Sequence, residues 1–109
     1  MLLILKNKVD DATLKKVGED LDGYVKFVVD IEREILTAGG IRHFMGEELL
    51  LKDGSRQKDL WGGGLDLETS GIDFDSMINI RPNQGNTSRE LLDKDLRKKV
   101  EEIVKKILV

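Results

Sequence analysis

The sequence predicts a small α+β domain: a mostly antiparallel sheet of about five to six strands, with an N-terminal helix and a C-terminal amphipathic helix on one face. Three observations carry this. Leu2–Leu5 form a short apolar run at the start, Tyr24–Ile31 is rich in β-branched residues and partly alternates, and Leu96–Ile107 repeats apolar residues at helical spacing. Strands linked mostly by hairpins, with helices near both chain ends, bury one sheet face under helices. At 109 residues the chain builds one domain, residues 1–109, and has no room for two catalytic domains.

The elements follow in order. Leu2–Leu5 end at Lys6–Asn7 and read as a buried strand. Asp10 or Asp11 then caps a helix carrying Leu14, Val17 and Leu21 three and four apart; Gly18 inside it costs about 1 kcal/mol relative to alanine and suggests close packing, and Gly23 ends it. From Tyr24 the period changes: Val25, Phe27, Val29 and Ile31 alternate, a turn falls near Arg33, and Ile35–Ile41 runs back antiparallel with a bend at Gly39–Gly40. A helical reading of residues 25–36 stays open, because Val25, Val28, Val29, Ile35 and Leu36 also cluster on one helical face.

Glu47–Lys52, with Leu49–Leu51, is expected to be another strand, reversed by Asp53-Gly54-Ser55. Gly62-Gly63-Gly64, between Trp61 and the alternating Leu65–Leu67, marks a bulge or a close approach by another backbone or a ligand. Phe74–Ile80 reads as a strand stopped by Pro82, the only proline. The last helix is the clearest: Leu96, Val100, Ile103, Val104 and Ile107 form its stripe, Asp93 its cap, and Glu101–Lys105 and Glu102–Lys106 its favourable i,i+4 pairs.

Composition narrows function. Hydrophobic residues are 39% and charged residues 36%, against roughly 25% charged in ordinary soluble proteins. The net charge of −3 argues against broad attraction to nucleic acid or anionic membrane, leaving room for a local basic patch. With no cysteine there are no disulfides, thiolate metal sites or cysteine nucleophiles. Met1–Leu5, the longest apolar run, falls far short of the roughly 20 residues a membrane span needs and lacks the pattern of a signal peptide, so a cytoplasmic protein is expected. His43 is the only histidine, which removes multi-histidine metal sites. An oxygen-lined metal site would need Asp30 to face Asp75 or Asp66, and no spacing requires that; no metal is expected and no cofactor is named by any motif. Gly62–Gly64 is neither a Walker loop nor a dinucleotide fingerprint.

Two polar loops remain. Asn79-Ile80-Arg81-Pro82-Asn83-Gln84-Gly85-Asn86-Thr87-Ser88-Arg89 offers two guanidinium groups, amides and hydroxyls before the last helix, a set suited to an anion; turn formation and helix capping are its plainer role. Arg56, Gln57 and Asp59 precede Trp61, which would supply a flat apolar wall or simply join the core. The leading expectation is therefore a binding or regulatory module holding a nucleotide or acidic protein segment through Arg56, Gln57, Asp59, Trp61, Asn79, Arg81, Asn83, Asn86, Ser88 and Arg89. A second is a small hydrolase or phosphotransfer enzyme using His43 or Asp59 as acid-base and Arg81 as charge stabiliser. A third is a structural homodimer paired through sheet edges.

The stretches Val28–Glu32, Gly54–Gly62 and Phe74–Asn86 resemble an uncharacterised prokaryotic family, domain-of-unknown-function family five-six-seven-four, over nearly the whole chain. The resemblance implies a small stand-alone protein and transfers no catalytic role. It draws attention to Gly39, Gly40 and His43, to Ser55, Gln57, Asp59, Trp61 and Gly62, and to Asn79, Arg81, Pro82, Asn86, Ser88 and Arg89. The chain departs from the family pattern at Phe44-Met45-Gly46, where acidic residues are usual, and at Gly63-Gly64, where larger residues and an asparagine are usual.

Overall fold

The computed structural model describes residues 1–109. Strands β1 (Leu3–Leu5), β2 (Tyr24–Asp30), β3 (Ile35–Ala38), β4 (Leu60–Asp66) and β5 (Ile72–Asp73) form one antiparallel sheet in the order β1-β3-β2-β4-β5. Helices α1 (Asp11–Gly18), α2 (His43–Lys52) and α3 (Lys94–Leu108) complete the chain. The alternation in residues 24–31 is that of a strand, and the helical alternative for residues 25–36 is excluded. The turn near Arg33 forms because the Asp30 carboxylate accepts from the backbone N–H groups of Glu32 and Arg33 at 2.9 and 3.0 Å. Gly39 and Gly40, both at positive φ, end β3 earlier than expected.

Side chains alternate through the sheet and make two cores. On one face Val25, Phe27, Val29, Leu36, Ala38, Trp61 and Leu65 pack against Val17 of α1 and Val100, Ile103, Val104 and Ile107 of α3. This is the expected pair of terminal helices on one face. Asp10 caps α1 by accepting from Thr13 N–H at 2.8 Å, and Asp93 caps α3 by accepting from Leu96 N–H at 3.0 Å. On the opposite face Val28, Ile35 and Leu60 pack against Leu50 of α2. The expectation of helices on one face only is thus incomplete, because α2 covers the other.

Two expected strands are corrected. Glu47–Lys52 is the second half of α2, not a strand: Glu47, Glu48, Leu49, Leu50, Leu51 and Lys52 are all good helix formers with no β-branched residue among them. Phe74–Ile80 is not a strand either. After the two-residue β5 the chain leaves the ladder and turns in 3₁₀ geometry at Met77–Asn79 and Pro82–Gln84. The triple glycine, in contrast, is part of an unbroken strand paired with β2 from Asp30↔Leu60 to Tyr24↔Asp66. Its missing side chains make room for others. The Phe27 ring occupies the place of a Gly63 side chain, the Tyr24 ring that of Gly64, and Ser76 and His43 crowd over Gly62. No helix is long and apolar enough to cross a membrane.

Candidate functional site

The two polar loops meet at the edge of β4 that β5 leaves uncovered. Asn79, fully buried, stands in for the missing strand: its Oδ1 accepts from Gly62 N–H and its Nδ2 donates back to Gly62 O, both at 2.9 Å. The same amide nitrogen reaches the carbonyls of Phe74 and Arg89 at 3.0 Å. Asn86 performs the matching task one turn later, donating to the carbonyls of Asn79, Ser88 and Glu90 and accepting from Leu92 N–H. The Arg81 guanidinium carbon sits over the Trp61 ring, 3.7 Å from its centroid, and the group donates to the carbonyls of Gln57 and Leu60. Gln84 ties to Lys58 O at 3.0 Å. Burial lowers the Arg81 pKa, and nearby Glu47 opposes the shift. Asn83 is exposed, and Ser88 accepts from Glu90 N–H at 3.1 Å. Asn79, Arg81 and Asn86 are therefore directed at the chain's own backbone.

Arg56 and Asp59 face a different hollow of about 350 Å³, shared with Asp30, Glu32, Arg33 and Lys58 and lined by no apolar residue. Arg33 is held there by Asp53 and Ser55 at 2.7 and 2.8 Å. No group of three or more His, Asp or Glu side chains is placed to hold a metal ion. Asp30, Asp66 and Asp75 instead accept from Glu32 and Arg33, from Glu68, and from Arg89 respectively.

A second cavity, of about 260 Å³, opens on the α2 face of the sheet. Its wall joins Tyr24 and Lys26 of β2, Ile41 and Arg42 before α2, His43 and Phe44 in its first turn, and Asp75, Ser76, Met77, Ile78 and Arg89 from the segment along β4. The missing Gly62 side chain shapes it, since a Cβ there would stand 2.8 Å from Ser76 Oγ and 3.2 Å from the His43 ring. His43 Nε2 lies 2.7 Å from Gly63 O; a carbonyl only accepts, so Nε2 carries the proton. Burial, helped by the charge of Lys26, lowers the His43 pKa against the opposing pull of Gly63 O, Asp73 and Asp75. The ring is neutral at pH 7, which leaves Nδ1 as an acceptor. Tyr24 donates to Asp73 at 2.6 Å, and burial raises its pKa well above the ordinary phenol value.

Charge distinguishes this cavity. Arg89 pairs with Asp75 at 2.9 Å, whereas Lys26 and Arg42 form no ion pair. Of the residues singled out by sequence, His43 and Arg89 line it; His43 and Asp59 line different hollows, and Arg81 lines neither. Sequence reasoning passed over Tyr24, Lys26, Arg42 and Ser76, and weighed Asp75 only as a possible metal ligand. One signal did point to Lys26: it is the only cation of β2, set between the apolar Val25 and Phe27. Compared with known families, residues 3–107 match the profile described as a protein of unknown function, DUF5674. No curated protein and no solved structure matches the chain.

Proposed function

This chain belongs to DUF5674, a family of proteins of unknown function, and from its geometry we propose a small binding module that takes an anion in the cavity at the start of α2. The observation that supports this is the meeting of two unpaired cations with an open helix end. Lys26 and Arg42 line the cavity without carboxylate partners. Helix α2 begins there with Arg42 at its cap position, no side-chain capping bond and no acidic residue in its first turn. The Met45 N–H bonds back to Arg42 O at 3.2 Å, which leaves the His43 and Phe44 N–H groups of the first turn without partners in the helix, and the helix dipole adds positive potential where they point. In a chain of net charge −3 this is a local reversal of sign. Neutral His43, able to accept through Nδ1, suits a ligand that also donates.

The test is an NMR titration of the ¹⁵N-labelled chain with inorganic phosphate and, separately, sulfate. The amides of residues 42–46 and Lys26 should shift and saturate, and Arg42→Ala should weaken binding about tenfold, the scale of one charged hydrogen bond. Arg56→Ala, in the other hollow, should leave it unchanged. If neither anion moves these amides, the reading falls.

A further inference from the structure

We infer that the anion this cavity takes is the phosphate of a nucleoside monophosphate, a deepening that rests on the anion reading above. Phosphate alone would use only part of the wall. Tyr24 is half-buried and Phe27, Trp61 and Phe74 are buried, so Phe44 is the one aromatic ring open to solvent, 55% exposed, and it follows Arg42 by two residues at the mouth of this cavity. Ile41 and Met77, 55% and 64% exposed, share the same rim. Exposed apolar residues scattered singly need no explanation, but here three gather around the two unpaired cations. A flat ring with an anionic group attached covers both.

Asp75 decides between a bare anion and such a ligand. Its Oδ1 accepts from Arg89, while Oδ2 accepts no hydrogen bond within the chain. A carboxylate in an anion site repels a ligand that is only charge, yet accepts well from a sugar hydroxyl or an exocyclic amine. His43 Nδ1 offers a second acceptor. The cavity thus combines cations, an apolar face and acceptors, the three chemistries of phosphate, base and ribose. At about 260 Å³ it lies just below the roughly 300–1,000 Å³ of most ligand sites, room for one nucleotide and not two.

Calorimetry on the 109-residue chain with AMP, UMP, adenosine and inorganic phosphate tests this. At least one of the two nucleotides should bind about tenfold or more tightly than phosphate, the scale of one base stacked on an aromatic ring. Phe44→Ala should bring that nucleotide down to the phosphate level without changing phosphate binding, and Arg42→Ala should weaken both. Both side chains are exposed, so the variants should keep the wild-type fold, checked by thermal melting. If phosphate binds as well as both nucleotides, or Phe44→Ala leaves the ratio unchanged, the inference is overturned and the anion reading stands. A heptapeptide of Glu and Asp around one Phe that outcompetes both nucleotides would assign the cavity to a protein segment and overturn it too. No heat from any ligand overturns both readings.

Discussion

Asn79 shows how one side chain can replace a strand. The open edge of β4 would otherwise present the N–H and C=O of Gly62 to a dry environment, and each unmade buried hydrogen bond costs about 1–3 kcal/mol. Asn79 closes both and reaches the Phe74 and Arg89 carbonyls as well. Asn79→Ala should therefore cost about 3 kcal/mol, a large part of the 5–15 kcal/mol typical of a domain, and should lower the urea midpoint. A variant within 0.5 kcal/mol of wild type would mean that water replaces the amide at no cost. The residue types of this loop were legible in sequence, but their direction was not. An Asn–Arg–Asn set suits an external anion and an internal carbonyl equally well, and only tertiary placement decides which it meets.

At the scale of elements, the seat of α2 depends on Gly46. A Cβ there would stand far inside van der Waals contact distance of Thr37 Oγ1 and 3.1 Å from Val28 Cγ2, and both neighbours are buried. Alanine gains about 1 kcal/mol of helix propensity over glycine, whereas overpacking a closed contact costs about 1–3 kcal/mol. The second effect should win: Gly46→Ala should lower the melting temperature and, by lifting the start of α2 off the sheet, weaken phosphate binding. A raised melting temperature would show that the helix shifts without strain. The same glycine explains why α2 was missed. It interrupts the helical pattern between Met45 and Glu47, leaving Leu49-Leu50-Leu51 to look like a buried strand, whereas α3, with its Asp93 cap and unbroken stripe, was legible in full. The end of β3 was also misread, since Ile41 continues the apolar character of the strand while Gly39 and Gly40 turn the backbone away.

Across the whole molecule, the two sheet faces are covered unequally. The 8-residue α1 and 15-residue α3 close one face, while the 10-residue α2 alone lies on the other and leaves the cavity open at its first turn. On this thinner side lie two groups whose titration acts on stability with opposite signs. Burial raises the Glu47 pKa, opposed by Arg81 and by a hydrogen bond from Gln57. A raised folded value means stability that is complete below the unfolded pKa of about 4.5 and lost as pH rises through the folded one. His43 has a lowered folded pKa, so its contribution is complete above about 6.5 and lost as pH falls through the folded value. Urea denaturation across pH 4 to 8 should separate them. Relative to wild type, Glu47→Gln should become more stable as pH climbs from 4.5 and then level off, because glutamine has no proton to lose. His43→Gln should lose less stability than wild type as pH falls below 6.5. Anion binding opposes the second trend, because a phosphate beside the ring favours imidazolium; with phosphate at a concentration that fills wild type but not Arg42→Ala, the His43-dependent loss should shrink more in wild type than in Arg42→Ala. If phosphate alters both proteins alike, the anion binds away from His43, and the coupling between the open face and its histidine is refuted.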